Sequence, residues 1–395
     1  MKIALFVETY YPMVNGVVTH IKILKDGLSA LGHEVLIVTA DPKTKQHYIN
    51  DGVLYCPALE LKQIYGFGLA SPWSNTRFKF IKEFNPDVFH THHEFGIGLF
   101  AVESAKRLKK PLVYTLHSMY DEYIFYIAPK LFVPAVKEIS HIYAKNFAKN
   151  ASALTSPSKK AAEFFEKCKV HKPVDIIPNS VELDAFDPSQ FSASELSSLR
   201  KNLNIAEDAF VAIFVGRMGK EKSIDLLLNY WHDYFLNDNK FRLLLVGSGP
   251  ELENLKALSK SLNLDDSVIF TGNIDHKEIA KYFAICDIYI SASLTEMMSL
   301  SMLEGMAAGL PVVQRYDKLN AEQIIEGVNG YNYHSTDEMV EIVKSLAAKA
   351  PKEKEKTKSD VRESIQSLGE KDLANHMLQI YNKCVEEFTA KKSKK

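Results

Sequence analysis

The chain has 395 residues, 46% hydrophobic and 25% charged, an ordinary composition for a folded protein and too long for one small core, so two domains of roughly 150 to 200 residues are expected. Forty-eight Lys and Arg against 49 Asp and Glu leave a formal charge of −1, which excludes a strongly basic nucleic-acid binder and an acidic disordered chain. The balance shifts along the chain: residues 1–185 carry 22 basic and 18 acidic residues, the remainder 26 and 31.

In chain order, short apolar runs predict strands at Ile3–Val7, Glu34–Thr39, Val53–Cys56, Val88–His90, Leu112–Thr115, Ala153–Thr155 and Asp175–Ile177. Amphipathic stretches between them predict helices at about 19–31, 75–83, 98–108, 134–149 and 158–166. This alternation is the pattern of βα units on a parallel sheet. It restarts with Phe210–Val215, Arg242–Val246, Val268–Thr271, Ile288–Ser291 and Pro311–Val313. The fold class read from it is α/β, with two doubly wound parallel-sheet domains.

Asp184, Asp187, Pro188 and the serines from Ser189 to Ser198 interrupt any apolar period, placing the domain boundary between Leu183 and Asn204. The expected division is 1–190, 205–350, and a final helix within 365–395 that packs back on the first domain. That helix carries Leu373, Met377, Ile380, Tyr381, Cys384 and Phe388 at helical spacing. The polar stretch Lys349–Ser359 separates it from the second sheet. Two facing open sheets place a ligand cleft at the carboxyl ends of their strands.

Cys56, Cys168, Cys286 and Cys384 lie far apart without a CxxC pair, which argues against a zinc site or disulfide framework and for a reducing, cytoplasmic setting. The apolar start Ile3–Val7 is too short for a signal peptide, and no run reaches 18 apolar residues. Membrane contact is therefore expected to be peripheral.

Chemistry is expected at the strand ends. Gly16 precedes a helix, where backbone can approach an anion at the positive helix terminus, although a turn glycine reads the same. Arg217 and Lys222 flank a glycine-containing loop after the first strand of the second domain. Both cations can face one diphosphate, each bond contributing about 1.5 to 3 kcal/mol, although a solvated charge run reads the same. Glu296 and Glu304 follow a later strand, spaced to bind hydroxyls of two sugar rings, with the amides of Met298, Ser299 and Leu300 as a phosphate cap. Two surface glutamates are the plain alternative. Gly247-Ser248-Gly249 lacks the third glycine of a dinucleotide fingerprint and reads as a turn. His90, His92 and His93 cluster, but a strand sends His93 to the opposite face from His90 and His92, so histidines lining a core or cleft without metal are expected. His117, at a strand end, is the candidate for a catalytic contact.

Taken together, the Pro12–Val17 loop, Gly32-His33-Glu34-Val35, His90–Gly96, Thr115–His117, Pro157-Ser158, Ile177-Pro178-Asn179, Gly216-Arg217 with Glu221-Lys222, and Glu296/Glu304 before Met306–Pro311 resemble the retaining glycosyltransferases of family 4, over nearly the whole chain. Within that family, Asn15–Thr19, Tyr114–Tyr123, Phe210–Ile213, Lys220–Ile224 and Arg315-Tyr316-Asp317 resemble the bacterial diacylglycerol glucosyltransferases. The resemblance implies the GT-B fold, two facing Rossmann-like domains, and a hexosyltransferase that needs no metal or cofactor, the UDP-sugar being a substrate. It assigns Arg217 and Lys222 to the diphosphate, Glu304 to the ribose, Glu296 to the donor sugar, Gly16 to backbone contact with phosphate and His117 to the transferred sugar. Met297, Met298 and Ser299 replace the small or polar residues and glycine usual after that glutamate, which puts sugar identity and activity in question.

The implied partners are a nucleotide sugar, a lipid acceptor and an anionic membrane surface on the inner face of the cell membrane, with no nucleic acid. For the acceptor and membrane contact the sequence offers Trp73, Arg77, Lys79 and Lys82 among aromatics in Leu61–Phe84, and cations of Lys130–Lys149 beside Leu131, Phe132 and Val133. Helices packing on the sheet are the alternative. Two other functions fit the chain: a hexosyltransferase acting on a glycolipid or polysaccharide, and a nonenzymatic binding subunit.

Overall fold

A computed structural model describes residues 1–13, 15–61, 67–118, 132–236 and 238–393. Val14, Met119–Tyr123, Lys130 and Leu131, and parts of the ranges 61–84 and 365–395, all within segments named above, lie outside them.

The chain forms two units, one of Met1–Ser180 with Glu370–Lys395 and one of Val181–Gly369. In the first, β1 (Lys2–Val7), β2 (Glu34–Asp41), β3 (Tyr48–Asn50), β4 (Val53–Leu61), β5 (Phe67–Ala70), β6 (Val88–Thr91), β7 (Leu112–Thr115), β8 (Ala153–Ser156) and β9 (Val174–Ile176) build a nine-stranded sheet. Its order is β3-β4-β2-β1-β6-β7-β8-β9, with β5 also pairing β4. All pairings are parallel except those of β3 and β5 with β4. The interior strands read as continuous apolar runs because helices cover both faces: Ile3 to Val7 are all fully buried.

The final helix, Glu370–Ser393, packs on the Gly16–Ala30 helix and buries Leu373, Ala374, Met377, Tyr381 and Cys384. Close approach requires Gly27: a Cβ there would stand 2.8 Å from the Glu370 carbonyl oxygen and 2.9 Å from the Ala374 Cβ. The Tyr381 hydroxyl reaches His90 Nδ1 at 2.6 Å, tying the last helix to the sheet.

The second unit has β10 (Phe210–Val215), β11 (Phe241–Val246), β12 (Val268–Gly272), β13 (Ile288–Ser291), β14 (Val312–Arg315) and β15 (Gly330–Tyr333), all parallel, in the order β12-β11-β10-β13-β14-β15. The division falls at Val181, earlier than the serine-rich stretch, because Val181, Phe186 and Ile205 are buried in this unit's core. The serine-rich stretch is itself structured, with Ser192 and Glu195 closing a capping box on the Ala193–Asn202 helix. Likewise the polar segment after Lys349 is a helix, Pro351–Ser364, anchored by Val361 in the same core.

Candidate active site

In a parallel sheet all carboxyl ends lie on one edge, so loops after adjacent strands meet. In the second unit β10 and β13 are neighbours, Ala212 pairing with Ile288. The loop after β10 therefore faces the loop after β13, and Lys222 meets Glu296: Nζ lies 2.5 Å from Oε1. Arg217 donates through Nη2 at 2.5 Å and Nε at 3.1 Å to Oε1 of Glu221, whose side chain is fully buried. Both expected diphosphate cations are thus held in place by carboxylates. Gly219 leaves the room this needs, since a Cβ there would fall 2.3 Å from the Glu221 carboxylate.

After β13, Ser299 caps the Leu300–Ala307 helix, its Oγ accepting the Met302 amide at 3.3 Å. The backbone of Ser299 and Leu300 thereby stands at the positive helix end. Met297 is buried and Met298 packs on the core, so both methionines anchor this loop from within. Glu304, also buried, contacts His276 Nε2 at 3.3 Å rather than Glu296.

Two residues that the sequence reading missed hold the same loop. The side-chain amides of Asn320 and Gln323 donate to the carbonyls of Glu296 at 2.5 Å and Met297 at 2.9 Å. Their signal was an amide pair three residues apart, which a 3₁₀ turn, here Ala321–Gln323, brings to one side. A pocket lined by Tyr289, Ser291, Glu296, Ser299, Arg315 and Asp317 opens beside this loop. Gly247, at φ 132°, lets its loop pass over Gly216, where a Cβ would lie 2.0 Å from the Gly216 oxygen. The glycines of Gly247-Ser248-Gly249 serve backbone packing.

In the first unit, Gly16 opens the Gly16–Ala30 helix and is exposed, while Asn15 caps it through the Val18 amide at 3.0 Å. β1, β6 and β7 are adjacent, which brings His20, His92 and His117 together. His92 Nδ1 and His117 Nε2 are 2.8 Å apart, and the His20 ring meets His117 edge-on at 4.7 Å. The His90 ring lies tilted against His92 at 3.9 Å and bonds Thr115 at 2.6 Å, while His93 turns away and its Nδ1 accepts the Glu8 amide at 3.0 Å. Burial lowers His20 and His93 to about 4. Burial and then neighbouring histidines hold His92 and His117 well below the imidazole range. These rings are neutral at neutral pH. Burial also pushes Glu8 up to about 8, against the opposing effect of its bond from the Ile97 amide.

The membrane assignments divide. Arg77 is 1% exposed, its guanidinium 4.5 Å from the Phe100 ring centroid and bonded to the Ser71 carbonyl, so it is a core residue and not a surface cation. It shares the inner face of its helix with buried Ile81, whereas Lys79 and Lys82 point outward and are exposed. Trp73 is half-buried, with Arg107 4.0 Å over its ring and Phe100 at 5.5 Å. The Val133–Asn150 helix and Phe132 before it instead expose Phe132, Ile139, Ile142 and Tyr143 (56, 53, 58 and 42%) on one stripe, and Lys137, Lys145 and Lys149 of the same helix are exposed. No described helix is long and apolar enough to cross a membrane.

Two Rossmann-like units, one with paired cations and carboxylates beside a helix N-terminus, define a glycosyltransferase of the GT-B fold. The comparisons agree: residues 197–363 match the model "Glycosyl transferases group 1" and residues 14–185 match "Glycosyltransferase Family 4". The chain belongs to this glycosyltransferase family. It is 32% identical over 346 residues to the α-monoglucosyldiacylglycerol synthase of Acholeplasma laidlawii, covering 86% of each chain. To the enzyme of the same name from Streptococcus pneumoniae it is 29% identical, covering 91% of this chain and 81% of the other. Among solved structures, Anabaena HepE with UDP-glucose superposes with a TM-score of 0.74 at 17% identity, covering 97% of this chain and 100% of that one.

Proposed function

We propose that the chain transfers glucose from UDP-glucose to the free hydroxyl of 1,2-diacylglycerol, giving an α-linked glycolipid at a membrane surface. The observation that carries this reading is the likeness across 86% of both chains to a protein named as an α-monoglucosyldiacylglycerol synthase. In the step proposed, the bond between the anomeric carbon and the diphosphate oxygen breaks while the acceptor hydroxyl bonds to the same face. The acceptor proton passes to the leaving phosphate. Charge developing on that phosphate is met by Arg217, Lys222 and the helix end at Ser299 and Leu300, preorganised donors of the kind that stabilise such transition states. Glu296 binds sugar hydroxyls once Lys222 turns to phosphate, and Glu304 binds the ribose.

The stripe from Phe132 to Tyr143, on a helix that also exposes Lys149 toward its edge, suits an interfacial helix lying in an anionic bilayer, the apolar side chains entering the acyl boundary and the lysine meeting headgroups. Lys79 and Lys82 add charge.

The test is incubation of the full chain with UDP-glucose and vesicles of phosphatidylcholine and phosphatidylglycerol containing 1,2-diacylglycerol, read by mass and by the anomeric proton coupling. A lipid one hexose heavier with an α coupling is expected. Turnover only with another nucleotide sugar, or only with a soluble acceptor, refutes the reading.

A further inference from the structure

We infer that His20, His92 and His117 form a binding site for one divalent transition-metal ion of the zinc class. Three elements carry it: the helix after β1, the residue following β6 and the loop after β7. Their ligating nitrogens all lie within 4.8 Å of one another.

The tautomer of His20 is fixed by its partner. Its Nδ1 lies 3.0 Å from Oδ1 of Asn179, and a carbonyl oxygen only accepts, so the proton is on Nδ1 and the lone pair on Nε2. That Nε2 is buried without a hydrogen-bond partner. A histidine that donates one ring N–H to an amide oxygen and directs the other nitrogen inward has the arrangement seen in metal-ligating imidazoles.

His92 and His117 share one proton across 2.8 Å. Ligands about 2.0 Å from a tetrahedral ion stand about 3.3 Å apart, so this pair opens by about 0.5 Å on binding. His117 is partly exposed and able to move outward. Each neutral ring keeps its own proton. The shared one moves to the outer nitrogen of its ring, and no proton is lost. Three imidazoles and no carboxylate select zinc, cobalt, nickel or copper over magnesium or calcium. A three-ligand set leaves a further coordination position for water.

The experiment uses the full chain after chelator treatment, titrated with Co²⁺ by visible absorption and with Zn²⁺ by calorimetry. One ion per chain with the intense bands of a low-coordinate nitrogen site is expected. His20→Ala and His92→Gln should each weaken binding at least about 100-fold, and Asn179→Ala about 10- to 100-fold, while His171→Gln on the surface should leave it unchanged. Weak octahedral Co²⁺ bands in the wild-type chain overturn the proposal without recourse to any variant. Folded His20→Ala and His92→Gln proteins that bind as the wild type does also overturn it. Metal binding in a chain that transfers no glucose would sink the proposed function and leave this site standing.

Discussion

His93 provides a direct check on the buried histidines. Its imidazole titrates near 4 in the folded chain against about 6.5 in a model peptide, because burial disfavours the charged ring. Between those values the unfolded chain binds a proton that the folded chain refuses, so stability is full above pH 6.5 and falls as pH drops toward 4. From pH 7 to pH 5 this one residue costs about 2 kcal/mol, the logarithmic difference between the two titration curves. Glu8, its neighbour, acts with the opposite sign. An acid raised to about 8 stays protonated in the fold while the unfolded chain ionises above about 4.5, so acidification from pH 7 to pH 5 returns about 2 to 3 kcal/mol. His20, also near 4, costs about another 2 kcal/mol, and His90, His92 and His117 act in the same direction. The histidines win, and the first unit should weaken between pH 7 and 5. His93→Asn isolates one contribution, since Asn Oδ1 can accept the Glu8 amide as Nδ1 does. Trp73 and Trp231 are the only tryptophans, so in a Trp231→Phe background Trp73 fluorescence reports the first unit alone during urea titration. The pH 7 to pH 5 loss in the Asn variant should be smaller by about 2 kcal/mol than in its parent. Equal losses in the two proteins would refute the argument that burial holds His93 neutral.

Arg217→Ala should lower turnover of UDP-glucose at least about tenfold, equivalent to roughly 1.4 kcal/mol, and a variant with near-normal turnover would remove Arg217 from the site. Because that change also strips a cation from buried Glu221, it should be paired with Arg217→Ala/Glu221→Gln, which should recover stability and not turnover. Gly27→Val should destabilise the chain by at least about 1 to 3 kcal/mol in urea, the range for overpacking, and speed proteolysis of the Glu370–Ser393 helix. Wild-type stability and protease resistance together would show that the close packing of that helix is dispensable.

Strand positions were legible wherever burial on both faces wrote a continuous apolar run, as in Ile3–Val7 or Phe210–Val215. The missed strands lack that signature. Tyr48–Asn50 is an exposed edge strand, yet Asp51-Gly52 after it, at φ 46° and 70°, is the turn chemistry of a two-residue hairpin and could have revealed it. Gly330–Tyr333 is an edge strand of mixed polarity with no apolar run. Arg77 was misread because composition does not say which side of a helix a cation occupies; its spacing of four from Ile81 did. The types of the site residues were readable from their loops, but the Lys222–Glu296 pair spans 74 positions and exists only because β10 lies beside β13.

That pair bears on the methionines that depart from the family pattern. A loop needing small residues for backbone access would lose its shape if bulky side chains stood in the ligand space, but Met297 is buried and Met298 packs on the core. Asn320 and Gln323 hold the carbonyls of Glu296 and Met297 from the other side. The loop is therefore fixed at successive residues, and Glu296 is presented to Lys222 by backbone that side-chain amides restrain. Two cations matched by two carboxylates leave this part of the site nearly neutral before a ligand arrives. Partly buried pairs of this kind add little stability, because desolvation offsets their attraction. Their effect is positional: Glu221 orients Arg217 in advance, whereas Lys222 has to leave Glu296 before it can meet a phosphate, so the proposed transfer includes that reorganisation.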